Sequence, residues 1–262
     1  MVSFELEQLY GWMNGFLWPF LRILALVGTA PLLSESSIPT RVKAGLSALL
    51  ALAVAPALPP PPEFSPASYQ GLWIAAQQVL IGIALGLTMR IVFAAVQTAG
   101  EFIGLQMGLS FASFFDPATG ANTAVLARLM NVIAMLLFLA LNGHLLMIGG
   151  LVRTFEVLPA TAGFHLEGLG VLFDWSAQVM VSGMLLALPL IIVLLTISLS
   201  LGILNRTAQQ LSVFAVGFPI SLMVGLILLA VVLPQTAPFM GRLFDAGHEA
   251  MARLIQALAG VS

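Results

Sequence analysis

The sequence predicts an all-α membrane protein of about six long apolar helices arranged as hairpins. Three observations carry that prediction. Of the 262 residues 60% are hydrophobic and only 8% are charged, whereas a soluble domain carries roughly 25% charged residues. The apolar residues gather in windows of about 17–25 residues, the length a helix needs to cross a bilayer. Those windows are continuous and lack the two-residue alternation of a barrel strand. In lipid, only helices and closed barrels satisfy their own backbone.

The first window is about Phe16–Leu33, interrupted by Pro19 and Arg22. The head before it carries Glu5 and Glu7 and no Lys or Arg. A secretory leader begins positive, so this segment is expected to stay in the chain. The second window is about Val42–Leu58, and it ends at the rigid run Pro59–Pro62. The third is about Leu72–Val96, the fourth Ala124–Leu151, the fifth Val179–Leu204 and the sixth Phe214–Leu233. Thr154–Trp175 is the longest polar connection, and Asn205–Ser212 is a tight polar turn. From Phe239 onward Leu243, Met251, Leu254 and Leu258 alternate with Arg242, Asp245, Glu249 and Arg253, which reads as an amphipathic helix.

If all six windows span, Arg41, Lys43, Arg90, Arg128 and Arg206 fall on one side and Arg153, Arg242 and Arg253 on the other. Basic residues favour the cytoplasmic side. Both termini are then expected outside, and the turn at Asn205 inside. Net charge is −2, so no basic surface points to nucleic acid. The absence of cysteine excludes disulfides and thiolate metal sites.

The stretch between the third and fourth windows has a different character. Gly100, Gly104 and Gly108 stand four residues apart, then Ser110–Phe115 is aromatic among small residues, and Asp116-Pro117 breaks any helix. Gly82 and Gly86 form another such pair, and Gly11 and Gly15 a third. Glycines at this spacing bare one helix face, so another helix can approach closely. Phe111, Phe114 and Phe115 either anchor a re-entrant turn or obstruct a conduit, since hydrophobic constrictions close pores by excluding water. Met107 and Met130 flank them with flexible side chains. Non-helical backbone persists near a membrane only where protein buries it or where it lines water.

Charges inside apolar windows ask for a reason, because one at the bilayer centre costs about 2.5–3.5 kcal/mol on insertion scales. Arg22 has no acid within a turn, so it either pairs across helices or its segment does not sit in lipid. Arg90 and Glu101 share a helix face without touching, and His144 follows Asn142. No HExxH, GxSxG or GxxxxGK[ST] motif is present, so neither an enzyme nor a cofactor is expected. An autonomous small-solute transporter, using His144 and the Arg90/Glu101 face, is the rival reading.

Two stretches, GEFIGLQMGLSFASFFDP at Gly100–Pro117 and GILNRTAQQLSVFAVGFPISLMVG at Gly202–Gly225, resemble the FliR family of flagellar type III secretion export-gate components. The resemblance covers essentially the whole chain. It implies a FliP-like helical part over residues 1–178 and a FliQ-like helical hairpin with an amphipathic tail over 179–262. It implies an irregular plug loop over 106–123 that keeps an export channel closed, including Gln106, Met107, Phe111, Phe114, Phe115, Asp116, Pro117 and Gly120. Asn205, Arg206, Gln209, Gln210, Phe218 and Pro219 fall at the hairpin tip and at partner contacts. The implied partners are several copies of FliP and FliQ, FlhB, exported flagellar subunits in transit and membrane lipid. The implied place is the bacterial inner membrane at the flagellar basal body.

Overall fold

The long apolar segments fold into helices, joined by short turns and coil. The structure is a computed structural model, and it describes residues 6–60, 65–109, 125–207 and 213–260. Helix α1 is Leu6–Thr29, α2 Thr40–Val54, α3 Tyr69–Gln106, α4 Val125–Ala140 and α5 Gly143–Val157. A short α6, Gly170–Ser176, precedes the two long helices α7, Gln178–Thr207, and α8, Val213–Leu258. Single turns of 3-10 helix lie at Ala55–Ala57 and Leu166–Leu169. The chain folds as two compact units. The first holds residues 1–91, 142–176 and 244–262, and the second holds 92–141 and 177–243.

In the first unit α1 lies against α3 through small residues on both sides. A Cβ on Gly82 would overlap the carbonyl oxygen of Arg22 and the side chain of Ala25, and one on Gly86 would overlap the Thr29 hydroxyl. Glycine is what lets the two backbones approach so closely. Helix α2 turns small residues inward, burying Ser47 and Ala51. The Ser47 hydroxyl donates to the Lys43 carbonyl at 2.7 Å, so this inward polar group is satisfied within its own helix. Lys43 Nζ donates to the Ser34 carbonyl at 2.9 Å and ties the preceding turn to α2. The Trp175 indole donates to the Thr88 carbonyl at 2.9 Å, pinning α6 to α3.

The end of α8 completes this unit. Phe244, Met251, Leu254, Ile255 and Leu258 are all buried. The Leu258 carbonyl accepts from the His165 amide at 3.0 Å. Gly168 packs so closely that a Cβ there would lie 2.6 Å from the backbone of Ala257 and Leu258. The expected amphipathic tail is thus present as a stripe, but it continues α8 without a break and its apolar side is core.

In the second unit the latter part of α3 packs with α4, α7 and the first part of α8. Phe93 and Phe138 meet edge to face, with centroids 5.5 Å apart and planes at 82°, the arrangement aromatic quadrupoles favour. Helix α7 buries Gly183, Leu186, Ala187, Leu190 and Leu194, one stripe at helical spacing. Its other sides expose Met180, Leu185, Ile192, Leu199 and Ile203.

Among the described residues four helical stretches are long and apolar enough to cross a membrane, or five if α4 and α5 count as one broken span. Two departures from the six expected windows explain the difference. The first window shrinks to an apolar stretch of Met13–Thr29, too short by that criterion, and its Arg22 is buried in protein. The fourth divides at Asn142, whose φ of 57° is left-handed. Asparagine tolerates that conformation better than most residues, so the chain turns there and restarts as α5. Pro219, Pro234 and Pro238 lie inside α8. Membrane helices accommodate proline where neighbouring groups satisfy the freed carbonyls.

Candidate functional site

The plug loop expected over 106–123 falls largely in 110–124, so most of its candidate residues lie outside the described residues. These are Phe111, Phe114, Phe115, Asp116, Pro117 and Gly120. What the structure describes is the frame from which the segment departs and to which it returns, all of it within the second unit.

Helix α3 ends in a defined cap. Gly108 has φ 82°, which L side chains rarely adopt and glycine adopts freely. The Leu109 amide bonds the Gly104 carbonyl at 2.9 Å, and the Gly108 amide bonds the Leu105 carbonyl at 3.0 Å. That pair of bonds is a Schellman motif, which satisfies carbonyls otherwise orphaned at a helix end. Gly108, grouped by spacing with the packing glycines, therefore has a second duty as the residue that stops the helix. Met107, just before it, is fully buried and lies on Gly225 of α8, where a Cβ would come 2.6 Å from its Cγ. Gln106 closes α3 and is half-buried.

The return is anchored beside the departure. A Cβ on Gly104 would lie 3.8 Å from Leu126 Cβ, at the start of α4, and 3.9 Å from Leu109 Cδ1. Four residues earlier, Gly100 meets the α4 backbone itself. A Cβ there would lie 2.5 Å from the Ala127 α-carbon and 2.8 Å from its nitrogen. Backbone cannot move aside as a flexible side chain can. Gly100→Ala is expected to destabilise by about 1–3 kcal/mol, the cost of overpacking. Gly104→Ala has ordinary contact distance available, and with a helix gain of up to about 1 kcal/mol it should be neutral or mildly stabilising. Thermal unfolding of the two purified chains in detergent checks this. Equal melting temperatures would mean that the α3–α4 crossing is wrongly placed.

The remaining candidates are more peripheral. Asn205 and Arg206 stand in the last turn of α7, where the exposed Arg206 complements the negative end of the helix dipole. Gln209 and Gln210 lie outside the described residues. Phe218 and Pro219 are exposed within α8. Arg90 and Glu101 are both exposed on α3. His144 is half-buried on α5, and its Nδ1 is buried without a hydrogen-bond partner. Among the described residues no three His, Asp or Glu side chains come together as a metal site.

One polar cluster escaped sequence reasoning. Arg22 is completely buried in the first unit. Its Nε donates to Gln78 Oε1 at 2.8 Å, one terminal nitrogen to Thr154 Oγ1 at 2.9 Å and the other to the Leu158 carbonyl at 2.8 Å. Phe155 stacks under the guanidinium, 4.1 Å from ring centroid to Cζ, a favourable cation–π placement. The question the sequence raised is answered: Arg22 pairs across helices, with neutral acceptors. The signal for Gln78 was present, since it is a polar residue in the third apolar window, but nothing in the spacing connects positions 56 and 132 residues apart.

Comparison with known proteins agrees along the whole length. A family model described as bacterial export proteins, family 1, matches residues 13–247. The chain is 50% identical over 261 residues to "Flagellar biosynthetic protein FliR" of Escherichia coli (strain K12), covering 98% of this chain and 99% of that protein. It is 47% identical over 262 residues to the protein of the same name from Pectobacterium carotovorum subsp. carotovorum, covering 99% of each. The Bacillus subtilis (strain 168) protein of that name is 32% identical over 252 residues, covering 94% of this chain and 96% of its own length.

Proposed function

We propose a function from one premise: the chain belongs to family 1 of the bacterial export proteins, with the FliR flagellar biosynthetic proteins, and is a membrane component of the flagellar export apparatus. Within that role we assign it to the export gate of the inner membrane, at the flagellar basal body. It joins several FliP and FliQ copies around a channel for unfolded flagellar subunits, next to FlhB. Residues 1–178 take the part of a FliP-like element and 179–262 that of a FliQ-like hairpin, so one chain closes a ring of both partners. It performs no catalysis itself.

The segment around residues 106–123 is assigned as the plug that keeps the channel shut. The observation supporting this is the frame. A fifteen-residue segment, 110–124, with three phenylalanines leaves from a Schellman cap and returns beside Gly104. Those anchors fix where the segment begins and where it ends, side by side. Gly100 and Met107 fix the frame through backbone contact and a buried side chain. An aromatic body held this way obstructs water and ions by dewetting.

The test is the triple variant Phe111→Ala, Phe114→Ala, Phe115→Ala in cells where the tagged chain still co-purifies with its FliP- and FliQ-like partners. Removing three aromatic rings should make those cells leak small ions through the assembled gate. Permeability equal to wild type, with the complex intact, would remove the plug role. Loss of co-purified partners in the wild-type control would remove the shared-ring reading instead.

A further inference from the structure

We infer that the end of α8 is fastened to the 142–176 segment by a pH-responsive clasp, with His248 at one end and His165 at the other, which tightens when their imidazoles take up a proton. Both sides of the clasp lie in the first unit. The chain has three histidines, His144, His165 and His248. Each is, or adjoins, a residue through which α8 bonds this segment.

His248 bridges two backbone carbonyls. Its Nδ1 lies 2.8 Å from the Phe244 carbonyl oxygen, one turn back on α8. Its Nε2 lies 3.2 Å from the carbonyl oxygen of Gly143, which opens α5 just after the left-handed Asn142. A carbonyl only accepts, and a neutral imidazole carries one N–H and one bare nitrogen. The neutral ring therefore donates to one carbonyl and turns a lone pair toward the other. The imidazolium donates to both, as a charged donor, which makes the stronger bond.

His165 supplies an independent observation of the same sign. Its amide donates to the Leu258 carbonyl at 3.0 Å, and its ring covers Gly260, where a Cβ would lie 2.8 Å from Cε1 and 3.0 Å from Nδ1. Gly260 has φ 70° and follows the last turn of α8. The C-terminal end of a helix carries partial negative charge and favours a cation beside it.

The neighbouring charges act in the same direction. Asp245 and Glu249 on α8 and Glu167 beside His165 are exposed acids, and they favour protonated rings. His144 stands at the N-terminal end of α5, where the positive pole of that helix opposes a further charge. Arg242 and Arg253 of α8 and Arg153 and Glu156 of α5 are also exposed, and their charges stay fixed near neutral pH. Helix α8 has 46 residues and is about 69 Å long at 1.5 Å per residue, more than twice the bilayer core of about 30 Å. Its charged residues begin only at Arg242, so the clasp lies past the apolar part and exchanges protons with water. Docking of the tail is thus strongest at low pH and weakens as the pH rises through about 5–8, the range in which an imidazole changes charge.

The test is amide hydrogen exchange of the full-length chain in detergent, read by mass spectrometry at about pH 5.5 and about pH 8, either side of the imidazole range, and corrected for intrinsic exchange rates. Segments 244–260 and 143–157 should be about tenfold better protected at the lower pH, the scale of one hydrogen bond from a charged group. Segment 125–140 of the second unit, which holds no histidine, should not change. His248→Gln keeps a donor that does not titrate and should remove most of the difference. Adding His165→Gln should remove the rest. Equal protection of the wild-type tail at the two pH values would overturn the proposal, and so would a full difference in the double variant. A second measurement uses the wild-type chain alone, labelled with 15N-histidine. At the lower pH one imidazole should show two ring N–H protons in slow exchange with water, and at the higher pH one. If every ring kept a bare nitrogen at the lower pH, the clasp as drawn would not exist.

Discussion

A chain ending at Gly247 is expected not to accumulate as a folded protein, even though it retains the whole stretch, residues 13–247, that matches the family model. The deletion removes Met251, Leu254, Ile255 and Leu258, all buried in the first unit. Each fully buried aliphatic side chain contributes about 2 kcal/mol, so four together give roughly 8 kcal/mol, against a total domain stability of about 5–15 kcal/mol. The deletion also removes the Leu258 carbonyl that accepts from His165 and the backbone on which Gly168 rests. A chain ending at Gly260 keeps all of these contacts and serves as the control. Membrane-fraction yield and resistance to a broad protease, compared between the two, give the answer. Equal yield and protection would mean that the end of α8 is an appendage.

That tail shows how far sequence reasoning reaches. The alternation of Leu243, Met251, Leu254 and Leu258 with charges was legible as a helix with one apolar stripe, and Glu249 and Arg253 are indeed exposed. What covers the stripe was not legible, because it packs on elements more than ninety residues earlier, such as His165 near Leu258. The same limit appears among the glycines. Spacing treated Gly100, Gly104 and Gly108 alike. In the folded chain the first touches backbone, the second has room for a methyl group and the third ends the helix by its φ. A repeat of four names the face of a helix, but the point where a neighbour crosses it depends on side chains of both helices. The division of the fourth window at Asn142 was hidden for another reason. Hydropathy is an average over a window, and one left-handed residue does not change it.

The stretch was legible as irregular because Asp116-Pro117 follows an aromatic run among small residues, and only its resemblance to known export components pointed to the family. Its supporting frame was only partly readable. Met107 was noticed as a flexible neighbour of the aromatic run. Its burial against Gly225 joins two stretches that the sequence presented as separate motifs, and tertiary packing alone could make that connection.

Arg22→Lys is expected to destabilise the first unit by about 2–4 kcal/mol, because hydrogen bonds to a charged group contribute about 1.5–3 kcal/mol each and the ammonium cannot keep all three. The substitution preserves the charge and removes the geometry. The guanidinium addresses Gln78, Thr154 and Leu158 in three directions from one plane, whereas a lysine ends in a compact point donor. The Thr154 hydroxyl gives its own proton to the Leu151 carbonyl at 2.6 Å, so it needs a donor and cannot exchange roles. Phe155 also loses its planar partner. Gln78→Ala should cost a comparable amount by leaving Nε of the buried cation without an acceptor. The double variant should cost less than the sum, since residues of one network do not act independently. Thermal unfolding of the three purified chains measures this. If the Lys chain melted at the wild-type temperature, the positive charge alone would be what the site requires, and an anion supplied from outside the described residues would become the better explanation of why an arginine stands in the first apolar segment.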